Sequence, residues 1–309
     1  MALGLCCQYV EIERSPRGIE KQKNIFDERI LQLGRWNQGK YSEDEIRRVY
    51  LSNADNLLTA FRRVVDDGYK CFRVSSNLIP LADKVPRHWW DNDKLRERYW
   101  KFGELAKKSG VRITMHPGQF VVLSSDSSKV VDNAVADLES HAWIMEAMKL
   151  DRSPYYAINI HGGKGARPDN LTREIKRLPD HIRSRLTLEN CETAYSAAEL
   201  KPVCDATGVP IVLDVHHHTF RTGGLDLAAA IDLATETWRG VKPLQHLSNT
   251  SPDISPEAPA SKRRAHSDWV HYIPDAQRAV LSKVDVEMEF KMKNWAIELA
   301  VKDLGLPLV

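Results

Sequence analysis

The chain has 309 residues, with 44 Lys and Arg against 42 Asp and Glu for a formal net charge of +2, and is 42% hydrophobic and 28% charged. That balance is ordinary for a folded globular chain and excludes disordered, fibrous and uniformly basic nucleic-acid-coating proteins, while leaving room for a local basic patch. Five cysteines, Cys6, Cys7, Cys71, Cys191 and Cys204, are odd in number and form no C-x-x-C pair, which predicts a reduced, cytoplasmic inventory rather than a disulfide scaffold.

In chain order, short apolar runs rich in β-branched residues predict strands over 2–6, 70–75, 111–116, 155–161, 185–189, 210–216, 243–248 and 285–290. Amphipathic patterns predict a helix over 43–67, with Val49, Leu57, Leu58, Phe61 and Val65 on one face. Further helices are predicted over 93–109, 130–149, 170–184, 196–206 and 225–237. A strand-then-helix alternation repeated about eight times in roughly 300 residues is the arithmetic of an α/β fold of one kind, a single (β/α)8 TIM barrel covering 1–309. The competing doubly wound open sheet lacks its usual support, since neither a Gly-rich dinucleotide fingerprint nor a Walker-type phosphate loop is present. Segment 250–262, with Pro252, Pro256 and Pro259, reads as a loop. The start carries no basic n-region of a signal peptide, and no stretch reaches the roughly 18 apolar residues of a membrane helix, so no membrane partner is expected.

The metal-capable residues fall on this map in one place. His116, His161, Glu189, Asp214, His216, His217, His218, His246 and Glu289 all sit at the carboxyl ends of predicted strands. In a barrel those ends converge on the face that carries active sites. Carboxylates and neutral imidazoles suit hard and borderline divalent cations, and a carboxylate can bridge two of them. Taken singly, each His reads as structural; their convergence points to a metal site.

Other features are plainer. Cys6-Cys7 reads as strand packing, and Trp89-Trp90 as packing at a helix start. Lys262-Arg263-Arg264 reads either as a solvated loop or as a phosphate contact beside the pocket. The His161-Gly162-Gly163-Lys164-Gly165 run allows close backbone approach, and serves equally as an anion-binding turn or a plain one.

The motifs Phe72-Arg73-Val74-Ser75-Ser76, His116-Pro117-Gly118-Gln119-Phe120, Ile158-Asn159-Ile160-His161-Gly162-Gly163 and Leu188-Glu189-Asn190 are followed by four more. These are Val212-Leu213-Asp214-Val215-His216-His217, His246-Leu247-Ser248, Ala265-His266-Ser267-Asp268 and Glu289-Phe290-Lys291. Their order resembles the UV damage endonuclease (UvdE) family over nearly the whole chain, from Gly4 to Lys293. The resemblance implies a barrel shared with endonuclease IV enzymes, holding two or three divalent ions, usually manganese, with zinc or magnesium as alternatives. It implies incision of damaged double-stranded DNA on the 5′ side of a lesion, leaving a 3′-hydroxyl, by a protein acting as a monomer.

Carried over by motif, His116, His161 and Glu189 resemble one ion's ligands, and Glu189, Asp214, His246 and Glu289 those of a second. His217 and His266 resemble the remainder of a third. The catalytic assignment that follows is Glu189, Asp214 and Glu289. Gln119 and Phe120 stand where the family places a glutamine and a tyrosine that probe the duplex, and Tyr9, Lys164 and Arg263 complete the expected DNA contacts. Three positions depart from the family pattern: Leu5 follows Gly4 in place of a tyrosine, Phe120 replaces a tyrosine, and Leu244 replaces a metal-supporting lysine, with Asp268 as an alternative ligand. Two competing readings are a sugar isomerase or epimerase on the same barrel, and a barrel that binds damaged DNA without cutting it.

Overall fold

The computed structural model describes residues 2–14, 20–26 and 28–305. Ten strands are present among them: β1 (Ala2–Cys6), β2 (Val10–Arg14), β3 (Glu20–Asn24), β4 (Cys71–Val74) and β5 (Arg112–Met115), then β6 (Ile158–His161), β7 (Leu186–Glu189), β8 (Ile211–Asp214), β9 (Leu244–Leu247) and β10 (Asp285–Met288). Eight of them close into a parallel barrel in the order β1-β10-β9-β8-β7-β6-β5-β4, so each strand lies beside its neighbour in the chain and β10 returns to β1. This is the (β/α)8 TIM barrel that the alternation predicts. Each predicted barrel strand overlaps an observed one: 2–6 is matched in full, and the others are shorter by one to three residues at one or both ends, so that His116 and Glu289 lie just past their strands.

The remaining two strands, β2 and β3, form an antiparallel hairpin outside the barrel, pairing Val10 with Asn24 and Glu11 with Lys23. The sequence predicts no strand there: Val10-Glu11-Ile12 alternates for only three residues, and its partner Glu20–Asn24 is polar throughout. Helix Lys293–Leu304 closes the eighth strand-helix unit.

Helix Glu43–Asp66 opens with a capping box, in which Ser42 accepts from the Glu45 N–H and Glu45 accepts from the Ser42 N–H. Its buried stripe is Ile46, Tyr50, Asn53, Ala54, Leu57, Ala60, Phe61 and Val64. Leu57 and Phe61 lie on it as predicted, but Val49, Leu58 and Val65 flank it half-buried. Asn53 joins the stripe with its side chain bonded to the backbone of Arg29, at 2.9 and 3.1 Å, so a polar residue takes a core position. Trp90 is buried edge-to-face against Trp143, ring centroids 5.3 Å apart, just before helix Asp93–Ser109. Cys6 is buried in β1, also in line with a packing role.

Inside the barrel the floor is ionic. Arg112, buried, reaches Asp285 at 3.1 Å and lies over the rings of Tyr155 and Trp238, while Lys242 meets Asp285 at 2.5 Å from the rim. Above this floor Cys71, Ala157, Val212 and Leu244 form a small apolar layer with Trp238. Alternation along each strand then turns the next inward positions, Thr114, Asn159, Thr187, Asp214, His246 and Glu287, toward the mouth.

A second capping box ties two mouth loops together. Ser196 starts helix Ala197–Thr207, and Glu199 accepts from its N–H at 2.7 Å while also pairing with Arg221 at 2.6 Å, in the loop that follows β8. The Arg221 contact, helped by Ser196 against some burial, lowers the Glu199 carboxyl to about 2. A lowered carboxylate stabilises the fold above its unfolded value near 4.3, and that contribution is lost as pH falls toward 2. Glu199→Ala is therefore expected to cost about 1 kcal/mol at pH 7, as cap losses do. Urea denaturation at pH 7 and pH 3 should show the gap between variant and wild type shrinking at the lower pH.

Candidate metal centre

At the mouth, Glu189 ends β7 and is 1% exposed. Its Oε2 lies 2.7 Å from His116 Nε2 and accepts from Asn159 Nδ2 at 2.6 Å. Its Oε1 faces three more imidazoles, with His217 Nδ1 at 3.2 Å, His246 Nδ1 at 3.5 Å and His161 Nδ1 at 4.0 Å. Burial alone would raise this carboxyl, yet His161, His246 and His116 together hold it well below the usual range.

Asp214 ends β8 and does two things at once. One oxygen caps the short helix Val215–His218 by accepting from the His217 N–H at 2.6 Å. The other, Oδ2, is buried with no hydrogen-bond partner and lies 3.8 Å from His217 Nδ1 and 3.9 Å from His246 Nδ1. Asn190 holds the strand end in place by bonding both the N–H and the carbonyl of Asp214, at 2.8 and 2.9 Å. Glu289, just past β10, approaches His246 Nδ1 at 3.5 Å and His266 Nδ1 at 3.7 Å, and its carboxylate also accepts from Arg73.

The donors fall into three overlapping groups, each with one ligand atom per residue within 4.8 Å of the others: His116, His161 and Glu189; Glu189, Asp214 and His217; and Asp214, His246 and Glu289. A buried acid needs a counter-charge, and a buried lone pair needs a partner. Asp214 Oδ2, His161 Nδ1 and His246 Nδ1 are all buried without a hydrogen-bond partner. Imidazole nitrogens and carboxylate oxygens orphaned toward one another are the donor set a divalent cation satisfies. The residues present fit such ions. The His217 imidazole shows the same pull: burial opposes its charge, but Asp214 and Glu189 lift it to about 11.

The first group is the one expected. In the others, His217 falls with Glu189 and Asp214, and its ring centroid lies 6.4 Å from that of His266. His266 is a third exposed and belongs to none of the three groups, and Asp268 is exposed and paired with Lys291 at 3.3 Å. Leu244 is buried in the apolar layer beneath His246 and brings no donor. Sequence reading passed over Arg73, Asn159, Asn190 and Glu287. The first, second and fourth share the inward face of their strands with predicted residues or motifs, so a period-two reading would have found them.

Of the residues expected to meet DNA, Gln119, Phe120, Lys164 and Arg263 lie in the segments that follow β5, β6 and β9, while Tyr9 is half-buried against the core. Phe120 is 72% exposed and its ring folds over Gly118, where a Cβ would stand 2.5 Å from the ring. Gln119 beside it is exposed. The loop carrying both is pinned to the next one: Asp126 pairs with Lys164 at 3.3 Å and Arg167 at 3.0 Å, and the Lys164 N–H donates to Ser124 Oγ at 2.6 Å. Gly163, at φ +82, allows this approach, since a Cβ there would meet Ser124 Oγ at 2.8 Å. The glycine run is thus a close-packing turn whose Lys164 N–H is already used. Arg263 lies over the Phe220 ring at 5.8 Å and donates to the Ala258 carbonyl. Tyr9 donates its hydroxyl to Asp67, at the end of helix Glu43–Asp66. From His116 and Phe120 a groove of about 1080 Å³ runs past Ser75 and Glu28 to His141, with Ile30 and Leu33 exposed on its rim.

Residues 2–306 match the family model described as UV-endonuclease UvdE. The chain belongs to this family. It is 35% identical over 263 residues to the UV DNA damage endonuclease of Nostoc sp., covering 82% of this chain and 78% of that one. The crystal structure of SacUVDE superposes on 99% of both chains, with a TM-score of 0.79 and 25% identity. Endonuclease IV from Thermus thermophilus shares the fold, with a TM-score of 0.56 over 81% of this chain and 94% of its own, at 16% identity. In this UvdE member, Glu189→Gln removes the carboxylate common to two donor groups while leaving their imidazoles. Calorimetric titration with Mn2+ is expected to show fewer ions bound per chain than in the wild type.

Proposed function

We propose that this protein is a metal-dependent DNA-repair endonuclease that incises damaged double-stranded DNA on the 5′ side of a UV-induced or other lesion and leaves a 3′-hydroxyl. The observation that carries the reading is the overlap of three donor groups on Glu189 and Asp214 at the barrel mouth, in a chain of the UvdE family. The side of incision and the product end rest on the family resemblance.

Divalent ions held in this cluster, with manganese the first candidate, would neutralise phosphoryl oxygens, lower the pKa of a bound water and stabilise the leaving 3′-oxygen. The protein's own part is placement. Glu189, Asp214 and Glu289 set the negative charge, His116, His161, His217 and His246 complete the donor set, and Asn159 and Asn190 fix the two central carboxylates by hydrogen bonds. No side chain needs to form a covalent intermediate.

Recognition needs a separate device, because a lesion in the stack must be extruded and the gap filled. An exposed Phe120 beside exposed Gln119, on a loop clamped by Asp126, supplies a rigid wedge. Lys164 and Arg263 flank the mouth as backbone phosphate contacts. Sugar epimerases share this fold, L-ribulose 3-epimerase with a TM-score of 0.51 at 14% identity, but the open groove and exposed ring here suit a polymer.

Irradiated and unirradiated supercoiled plasmid incubated with protein and Mn2+ tests the reading. Nicking of the irradiated plasmid, lost on chelation and in Glu189→Gln, is expected; intact plasmid with retained binding would favour the non-cleaving barrel. Phe120→Ala is expected to slow nicking at lesions by about tenfold or more, in line with the 1–3 kcal/mol carried by one stacked base. Its Mn2+ titration should match that of the wild type.

A further inference from the structure

Two buried carboxylates on β10 lie outside every donor group, Asp285 in the floor and Glu287 directly beneath the donors. Glu287, on β10 two residues before Glu289, is 1% exposed. Its side chain meets three groups: the Thr114 hydroxyl donates to Oε1, Arg73 lies 3.4 Å from Oε2, and His246 Nε2, which has no aligned hydrogen-bond partner, lies 3.0 Å from the same Oε2. β9 and β10 place His246 and Glu287 directly opposite in the sheet register, so backbone pairing enforces the contact.

This contact divides the His246 ring. Nε2 faces down to Glu287, while Nδ1 faces up to Glu189 and Glu289, both at 3.5 Å, and to Asp214 at 3.9 Å. An imidazole that ligates through one nitrogen must carry its proton on the other. A carboxylate waiting there fixes the tautomer and ring orientation and makes the ligating nitrogen a better donor.

We propose that Glu287 is a positioning residue of the metal centre, presenting Nδ1 of His246 to the ion and holding the ring's proton at Nε2. Thr114 and Arg73 keep the Glu287 carboxylate where it can do so. Leu244, in the apolar layer below His246, offers the ring no competing partner. This rests on the reading of the mouth as a metal centre, and the test keeps the two apart.

Mn2+ is titrated calorimetrically into wild type, Glu287→Gln and Thr114→Val, and the Zn2+-loaded wild type is examined by long-range 1H–15N NMR of its imidazoles. The isosteric amide keeps an acceptor but no charge, so Mn2+ affinity is expected to fall about ten- to hundredfold, the usual effect of removing such a partner. Thr114→Val is expected to weaken binding in the same direction by a smaller factor. The NMR spectrum should show His246 protonated at Nε2 and ligating through Nδ1, a signature that a purely structural role for Glu287 would not set. A wild type that binds no Mn2+ overturns the metal-centre reading itself. A wild type that binds Mn2+ while Glu287→Gln binds within twofold of it overturns the role of Glu287 alone, as does His246 ligation through Nε2. If Glu287→Gln fails to fold, Thr114→Val and the wild-type spectrum decide the matter.

Discussion

The Glu189 carboxylate is the constraint on which the rest of this mouth depends. It is buried, it is charged, and it is surrounded by four imidazoles and one amide within 4.0 Å. A buried anion is tolerated only when cations and hydrogen-bond donors replace the water it has lost. Four other strands contribute to that replacement: His116 follows β5, Asn159 and His161 lie on β6, His217 follows β8, and His246 lies on β9. Because Oε2 is saturated by His116 and Asn159, Oε1 is the atom left to face His217, His246 and His161, and the cluster acquires a direction. Three of its unsatisfied atoms, Asp214 Oδ2, His161 Nδ1 and His246 Nδ1, belong to the donor groups, and a fourth, His246 Nε2, faces Glu287.

Below that layer the barrel alternates charge and hydrocarbon. Arg73 and Glu287 form an ion pair under the donors, Cys71, Ala157, Val212 and Leu244 form an apolar layer, and Arg112, Asp285 and Lys242 close the floor. Arg73 bridges Glu287 and Glu289, so the charge of the mouth is coupled to the layer beneath it. Buried polar networks of this kind are costly when half satisfied and rigid when complete. A rigid floor is what a site needs when its donors must be held close to their working geometry.

Outside the barrel the loops are fastened to one another as well as to the core, where Val121 and Leu123 are buried. Asp126 binds Lys164, Arg167 and Asn170, which joins the loop of Phe120 to the loop after β6. Glu199 and Arg221 join the loops after β7 and β8. The exposed Phe120 ring therefore projects from a braced segment, and a braced aromatic loses less entropy on insertion into a base stack than a free one.

Much of this was legible in one dimension, and particular residues show why. Eight apolar runs separated by helical patterns admit few folds, and parallel strands joined by right-handed crossovers bring His161, Glu189 and Asp214 to one face whatever the details. The hairpin of β2 and β3 was not legible, because its apolar alternation is confined to Val10 and Ile12 and its second strand is polar throughout. The buried stripe of helix Glu43–Asp66 also takes in Asn53, whose core position depends on backbone groups distant in sequence. The chain by itself determined the barrel, its family and the end of it where acids and imidazoles gather. Only the tertiary structure decided that His217 joins Glu189 and Asp214 while His266 stands apart, and that Glu287 lies beneath His246. Those outcomes turn on strand stagger and loop paths of a few ångströms, and spacing along a chain does not encode distances across a closed sheet.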